Sequence, residues 1–429
     1  MTRIKGWAAA PYAVAATITP AFAQSPGADP GHTAWILTAT ALVLLMTLPG
    51  LALFYAGLVR AKNALSVMMQ CVAIASVASV LWFACGYSLS FSGAGGLIGD
   101  LNKAFLAGVG RAAVSGQIPE IVFFMFQMTF AIITPALIVG AYVERIKFAA
   151  VLVFSGLWLL VVYAPVAHWV WGGGWLQQRG AMDFAGGLVV HATAGSSALA
   201  IVALLGARDG FPKELSPPHS PGMTMIGAAL LWVGWYGFNA GSALLADGSA
   251  GMALAATHLS AATAGLVWAG IEWARFGKPS MIGAVTGVIA GLATVTPASG
   301  YIGPIGGVIL GALGASVCFV AVSIVKSKLR IDDSLDVFAV HGVGGILGAL
   351  GVAVLASPAL GGVGYAVTGS MGAQLGVPAL GVATVVAWSA SATFALAYAT
   401  KALVGLRASA GEIQEGLDLT YHGEQASNP

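Results

Sequence analysis

Long apolar stretches, separated by short polar connections, follow one another along most of the 429-residue chain. A helix needs roughly 17–25 apolar residues to cross the hydrocarbon core of a bilayer, and eleven stretches have about that length. We therefore predict membrane-spanning helices over Trp35–Leu58, Ala64–Phe91, Glu120–Val143, Phe148–Val170, Phe184–Gly206, Gly222–Ala243, Met252–Ala274, Met281–Ser299, Gly303–Val325, Leu335–Ala356 and Val377–Val404. This pattern indicates an all-α polytopic membrane protein.

The N-terminus has the pattern of a targeting segment. Arg3 and Lys5 precede an apolar run, Trp7–Ile18, which is too short to span a membrane, and a small-x-small cleavage signal ends at Ala23. We predict that residues 1–23 are a signal peptide; the alternative is a short uncleaved anchor. Export would place the mature N-terminus on the periplasmic side of a bacterial inner membrane.

The distribution of basic residues tests this topology. With an external N-terminus and eleven crossings, 13 lysines and arginines fall in cytoplasmic segments and three fall in external ones. Such an asymmetry follows the positive-inside rule. We predict an eleven-helix domain over residues 24–404 and a cytoplasmic C-terminal tail over residues 405–429.

Composition narrows the class of protein further. Hydrophobic residues make up 58% of the chain and charged residues only 8%, and the formal net charge is +2. A typical soluble domain carries about 25% charged residues, so a soluble, disordered or nucleic-acid-binding protein is excluded. The cysteines lie in apolar runs and have no metal-ligand spacing, and we predict neither a metal nor a cofactor.

Spans one to five and six to ten are candidates for two five-helix repeats, which an odd number of crossings would orient oppositely. The last helix of each unit begins with an aspartate and carries a histidine, namely Asp183 with His191 and Asp336 with His341. Inverted repeats of this kind place substrate sites near the middle of the membrane.

His191 and His341 lie deep in apolar spans, where an ionisable residue is a candidate for function. Glycines share a helix face with each histidine and would let the two helices approach closely. The imidazoles would then meet and share a proton through their ring nitrogens. The alternative is two separate histidines, each bonded to a helix carbonyl; we interpret His168 and His258, nearer span ends, as interfacial or structural.

Asp183 and Asp336 each open a span, where a carboxylate caps the free amide groups of a helix N-terminus. We interpret both primarily as caps, although Asp183, beneath the outer face, would also help to hold a cation.

Aromatic side chains cluster at spans three, four and six. Phe126 and Phe130 share one face of span three, and Trp171 ends span four at the outer surface. Trp235, Phe238 and Ser242 share one side of span six. These residues fit either a cage for a small cation, because ring faces attract ammonium groups, or an ordinary interfacial belt.

Several stretches together resemble the ammonium transporter (Amt/Rh) family, and particularly its bacterial members. They include FQMTFAIITPALIVGAYVERIKF, HWVWGGGW, DFAGGLVVHATAG, LLWVGWYGFNAGSA, TPASGYIGPIGG, DDSLDVFAVHGVGGI and the tail GLRASAGEIQEGLDLTYHGE, and the resemblance covers essentially the whole mature chain. It implies a homotrimer in which each subunit has eleven helices and its own pore. It also implies that the tail couples the subunits and receives a PII-type signalling protein.

The resemblance also implies roles for individual residues. The external recruitment site for ammonium would comprise Phe130, Trp171 and Ser242, with the Ala185 carbonyl nearby and Asp183 beneath. The gate would be Phe130 and Phe238, with Phe126 and Gln127 close by. The pore and proton relay would be lined by His191, His341 and Trp235.

These residues support an expectation about mechanism. An apolar pore penalises any species that must stay charged, and ammonium can release its proton whereas potassium cannot. We expect ammonium to be deprotonated near the gate, ammonia to cross, and the proton to pass separately along the histidines.

We expect a transporter and not an enzyme, and three other functions are alternatives. The first is an ammonium sensor of the same fold that signals through its tail, and the second is a redox protein with a bis-histidine haem. The third, an intramembrane hydrolase, is disfavoured because the sequence has no GxSxG or HExxH pattern.

Overall fold

The computed structural model describes residues 27–214 and 216–426. The predicted signal peptide, residues 1–23, lies outside the described residues. The long helices are α1 Pro30–Leu58, α2 Ala61–Phe91, α3 Glu120–Tyr142, α4 Phe148–Gln178, α5 Gly187–Leu205, α6 Pro221–Gly241, α7 Gly248–Phe276, α8 Met281–Val295, α9 Pro304–Lys328, α10 Phe338–Leu355 and α11 Met371–Val404. Two short tail helices follow, α12 Ala410–Glu415 and α13 Leu417–His422. A small antiparallel hairpin, β1 Val114–Ser115 with β2 Ile118–Pro119, lies between α2 and α3.

Within the described ranges, nine helices are long and apolar enough to cross a membrane, which confirms the predicted helical membrane class. The two others are α8, which has 15 residues, and α6, whose glycines and aromatic residues lower its mean hydropathy. Helices α3 and α5 are the most enclosed, with 83% and 78% of their apolar windows buried, whereas the value for α11 is 22%. The enclosed helices therefore form the centre of the molecule and α11 lies at its periphery.

Local capping explains where several helices begin. The carboxylate of Asp29 accepts a hydrogen bond from the His32 amide at the start of α1, and that of Asp247 accepts two from the first turn of α7. The Ser220 hydroxyl caps α6, which has proline in its first turn. Such caps satisfy amide groups that have no partner inside the helix.

Helix α7 begins four residues before the predicted span, at Gly248 instead of Met252. His258 therefore lies ten residues inside this helix, and its interpretation as an interfacial or structural residue stays a prediction. Its Nδ1 is 2.6 Å from the Tyr236 hydroxyl, on an exposed face of the subunit.

The C-terminal tail folds back onto the connections between the long helices. The Asp418 carboxylate accepts hydrogen bonds from the amides of Leu65 and Ser66, and the Leu417 amide donates to the Asn63 side chain at 2.9 Å. The Ala408 amide donates to the main-chain carbonyl of Arg145. The tail is thus a docked, ordered segment of the subunit.

Candidate functional site

The structure brings His191 and His341 together in the centre of the molecule. Their Nδ1 atoms are 3.3 Å apart and the two rings are nearly parallel, at 14°. Both side chains are buried. A neutral imidazole has one N–H and one acceptor nitrogen, so the two rings can share a single hydrogen bond with either one donating.

The meeting of the histidines depends on glycine and on local helix geometry. A Cβ atom at Gly195 would lie 2.3 Å from Gly342 Cα, so α5 and α10 cross with their backbones almost in contact. Each histidine belongs to a π-helical turn, Gly187–Ala192 or Phe338–Gly342. Turns of this type are frequent at functional sites because they redirect a side chain without ending the helix.

Trp235 lies against the histidine pair. Its indole is 5.6 Å from the His191 ring at an angle of 20°, and its Nε1 donates to the Thr296 hydroxyl at 2.9 Å. The space around this group is only about 10 Å³ and is lined mainly by aliphatic side chains and Phe238. The passage at the histidines is therefore narrow and largely apolar.

Phe130 and Phe238 lie next along the same axis. Their ring centroids are 4.3 Å apart at 32°, and the Phe238 ring is 6.1 Å from that of His191. Both rings are buried, and together they close the outer side of the narrow passage.

Trp171 and Ser242 lie on the outer side of the two phenylalanines. The Trp171 ring is perpendicular to Phe130 with centroids 5.7 Å apart, and its Nε1 donates to the Asp183 main-chain carbonyl at 2.8 Å. The Ser242 hydroxyl donates to the Phe238 carbonyl at 2.8 Å. Because its hydrogen is used in this way, the hydroxyl oxygen of Ser242 is left as an acceptor for a cation.

A cavity of about 360 Å³, which we call the outer cavity, opens above these residues. Trp171, Asp183 and Ser242 line it, whereas Ala185 is buried in the turn after Asp183 and does not. The cavity is also lined by aromatic residues that the sequence reasoning missed, namely Phe91, Phe123, Phe184 and Tyr301. The one available signal was the position of Tyr301 inside the motif TPASGYIGPIGG.

Asp183 caps the start of α5. Its two carboxylate oxygens accept hydrogen bonds from four consecutive amides, those of Gly186, Gly187, Leu188 and Val189. The carboxylate is buried, so these bonds replace the water that would otherwise solvate it. The predicted capping arrangement is present.

The corresponding prediction for Asp336 was wrong, because the cap of α10 is Asp333. The Asp333 carboxylate accepts from the amides of Val337 and Phe338 at 3.0 and 2.7 Å. Asp336 has a left-handed backbone, with φ of 61°, and its carboxylate binds the Lys326 ammonium group at 2.7 Å. The sequence DDSLD offers three aspartates, and only the path of the backbone decides which one reaches the amides.

A second cavity, of about 240 Å³, lies on the other side of the histidine pair, and we call it the inner cavity. Its lining includes His341 together with Arg208, Lys326 and Asp336. The histidine pair thus separates an aromatic outer cavity from a charged inner one.

Beside the inner cavity is a buried charge cluster that the sequence reasoning did not single out. Arg208 binds both carboxylate groups of the cluster, Asp332 at 2.9 Å and Glu144 at 3.3 Å, and Glu144 also accepts from Arg60. Arg145 is fully buried and donates to main-chain carbonyls, including that of Asp332, and to the Ser334 hydroxyl. The signal available was that these charges fall together at predicted span ends.

Comparison with known proteins identifies the family. The model of the Ammonium Transporter Family matches residues 34–427. The chain belongs to this family. Ammonium transporter Amt1 of Archaeoglobus fulgidus is 46% identical over 398 residues, which cover 92% of this chain and 99% of that protein. The ammonium transporter of Bacillus subtilis is 44% identical, with coverage of 92% and 98%.

Two solved structures are similar to this chain in fold. The structure of Mep2 from Saccharomyces cerevisiae matches with a TM-score of 0.82 and 36% identity, covering 90% of this chain and 89% of that one. A structure described as a Sensor Amt Protein matches with a TM-score of 0.86 and 30% identity, covering 91% and 98%. The family match extends into the tail of this ammonium transporter family member, to residue 427.

Proposed function

We propose that this protein transports ammonium across the bacterial inner membrane, releasing the proton from the cation and conducting ammonia. The observation that carries the proposal is one continuous line of side chains: Trp171, the Phe130–Phe238 pair, and the His191–His341 pair. This line connects the outer cavity to the inner cavity through a passage too narrow and too apolar for a hydrated ion.

Recruitment would take place at the outer end of this line. The ring faces of Trp171 and Phe130 attract ammonium by cation–π contacts of order 0.5–2 kcal/mol each. The Ser242 hydroxyl accepts one N–H, the Ala185 carbonyl lies nearby, and the buried Asp183 carboxylate adds a negative charge beneath the site. These attractions are weak enough for the cation to leave again.

Selection would follow from acid–base chemistry. A channel built on rings of carbonyl groups conducts potassium, and ammonium resembles potassium in size and charge. An ion that must stay charged is strongly disfavoured in an apolar passage, whereas ammonium can lose its proton at the Phe130–Phe238 gate. Ammonia would then cross beside Trp235, and the proton would pass separately along His191 and His341, because imidazole nitrogens both accept and donate protons.

The assembly we propose is a homotrimer of eleven-span subunits, with one pore in each subunit. The position of His258 supports a partner copy, because ionisable residues in membrane helices normally face protein or water and His258 is exposed on a membrane-spanning helix. Two large apolar residues of α6, Ile226 and Val233, are also exposed. Lipid would cover the remaining perimeter.

The topology and regulation complete the proposal. Residues 1–23 would be removed as a signal peptide, which leaves the N-terminus in the periplasm and the docked tail in the cytoplasm. The tail contacts the first turns of α2 at Leu65 and the connection after α3 at Arg145, through Asp418 and Ala408. A PII-type protein that binds the tail could act on the pore through these contacts.

A second candidate is an ammonium sensor of the same fold. The similarity to the structure described as a Sensor Amt Protein favours it. A flux measurement on purified protein distinguishes the two functions, because a sensor that does not transport gives no sustained ammonium flux in proteoliposomes. We favour transport because the side chains from Trp171 to the His191–His341 pair form an unbroken series of contacts between the two cavities.

The test is electrophysiology of proteoliposomes on a solid support, with pulses of ammonium and of potassium. We expect current with ammonium and none with potassium, and we expect His191→Ala to abolish the selective current. His219→Ala, in the connection before α6, is the matched control and should keep the parental response. Equal currents with potassium and ammonium in the unmodified protein would refute the proposal.

A further inference from the structure

The outer cavity is far larger than the cation it is proposed to recruit. A site for one water-sized molecule needs about 10–15 Å³ of accessible space, and ammonium is close to water in size. The outer cavity has about 360 Å³, whereas the passage at the histidines has about 10 Å³. Small-molecule sites in proteins generally begin at about 300 Å³, so the outer cavity is large enough for an organic ligand that the passage would exclude.

Aromatic rings form much of the wall of the outer cavity. Phe91 and Phe123 meet edge to face with centroids 5.0 Å apart, and Phe184 and Tyr301 do so at 5.2 Å. Trp171 is a fifth ring in the same lining. Boxes of aromatic rings bind quaternary ammonium groups, because the ring faces are negative and the methyl groups that carry the charge are apolar.

The charged groups of the outer cavity also favour a cation. Asp183 is an acidic residue in the lining, and within residues 27–214 and 216–426 no lysine, arginine or histidine side chain lines this cavity. The oxygens of Asp183 are occupied by main-chain amides, so its charge attracts a ligand without binding it directly. A bound cation would therefore contact the aromatic rings and the Ser242 oxygen.

We propose that the outer cavity binds quaternary ammonium cations such as tetramethylammonium, and that these block the pore from outside. The inference rests on the proposed function for the location of the pore entrance. Tetramethylammonium has four N–C bonds and no N–H bond, so it has no proton to release and cannot follow ammonium past Phe130. It would occupy the recruitment site and exclude ammonium.

The first experiment measures ammonium currents from proteoliposomes containing the full chain, with increasing tetramethylammonium. The expected result is inhibition that higher ammonium overcomes, with no current from tetramethylammonium alone. Tert-butanol, a compact methylated molecule without charge, is the control and should leave the current unchanged. An undiminished current at saturating tetramethylammonium, or equal inhibition by tert-butanol, overturns the proposal.

The second experiment changes one wall of the outer cavity. Tyr301→Leu removes a ring and should raise the tetramethylammonium concentration for half-inhibition about 2- to 30-fold, the range expected from a cation–π contact. Tyr301→Phe keeps the ring and should behave like the parent. If the Leu and Phe variants are inhibited alike, the aromatic wall does not bind the cation and the proposal is wrong.

Calorimetric titration of the purified protein with tetramethylammonium separates this proposal from the proposed function. Should the parent protein carry no ammonium current, the transport proposal fails. Saturable binding that Tyr301→Leu weakens and Tyr301→Phe preserves would still support the organic-cation site. Absence of saturable binding in the parent overturns it.

Discussion

On the outer side of the histidine pair, Asp183 lies eight residues before His191, and on the inner side Asp333 lies eight residues before His341. Both aspartates cap the π-helical turn that carries the histidine. Their surroundings differ. The outer cavity next to Asp183 is walled by aromatic rings, whereas basic residues such as Arg208 and Lys326 line the inner cavity next to Asp333.

The comparison shows that the same capping arrangement is used in two different surroundings. In both helices a buried carboxylate fixes the turn that aims a histidine at the centre of the molecule. On the outer side the remaining lining is aromatic, and on the inner side ion pairs of Arg208 with Glu144 and Asp332 join the connections between helices. The caps therefore position the histidines, and the neighbouring residues give each cavity its chemical character.

The largest expected effect is on stability, when the outer cap is removed. Asp183→Ala leaves four amides without partners, at about 1–3 kcal/mol each, against a total stability of about 5–15 kcal/mol for a typical domain. We expect little or no folded protein in detergent, measured by size-exclusion chromatography. Asp333→Ala leaves two amides and should yield folded protein of reduced thermal stability. Equal yields of the two variants would show that the two caps are not different in strength.

The next effect concerns the charge cluster at the inner end. Arg145→Ala removes a fully buried guanidinium and leaves the main-chain carbonyls of Val143, Gly206 and Asp332 without this donor. Breaking one partner of a buried ionic network lowers stability by about 3–5 kcal/mol. Thermal unfolding in detergent measures the loss, and Lys401→Ala, at an exposed position on α11, is the control. A loss no greater than the control's would mean that the cluster contributes nothing beyond a surface charge.

A smaller effect is expected at the proposed gate. Phe130→Ala removes one ring of the recruitment site and widens the passage, because Phe130 contacts both Trp171 and Phe238. Loss of one cation–π contact should raise the ammonium concentration for half-maximal current about 2- to 30-fold and reduce selectivity over potassium. Phe83→Ala, on an exposed face of α2, should change neither quantity. Unchanged transport and selectivity in Phe130→Ala would remove Phe130 from the gate.

The smallest effect is a pH dependence at the inner end. Burial raises the pKa of Glu144, but hydrogen bonds and positive charge from Arg60, with the charge of Arg208, outweigh it and hold the pKa below its ordinary value of 4.5. A carboxylate with a lowered folded-state pKa stabilises the fold above its ordinary pKa, and this contribution is lost as the pH falls through the folded value. The thermal stability of the parent should therefore fall more steeply below pH 4.5 than that of Glu144→Gln. Parallel pH profiles would contradict this account.

Much of the fold was predictable because its signals are local. Apolar length and the positions of charges predicted the helical membrane class, and the glycines beside His191 and His341 predicted that these helices would approach. The prediction that the histidines meet agrees with the 3.3 Å separation of their Nδ1 atoms. Helix boundaries were less predictable, as α7 shows, because a cap such as Asp247 can start a helix before its apolar run begins.

The choice among the aspartates of DDSLD could not be made from the sequence. Asp333 and Asp336 are both acidic residues just before an apolar run, and a left-handed residue between turn and helix decides which one caps. The aromatic wall of the outer cavity likewise could not be predicted from the sequence. Phe184 and Tyr301 are 117 positions apart in the chain and meet only because the connection before α5 and the connection after α8 converge at the outer surface.

By itself, therefore, the sequence determined which segments are apolar enough for the membrane, which spans carry histidines, and to which family the motifs point. The tertiary structure alone decided which of these side chains share a cavity, which aspartate caps α10, and where the tail docks. The physical reason is the distance along the chain over which each interaction acts. Helix formation and membrane burial depend on neighbouring residues. A cavity or an ion pair depends on groups that packing brings together from distant parts of the chain.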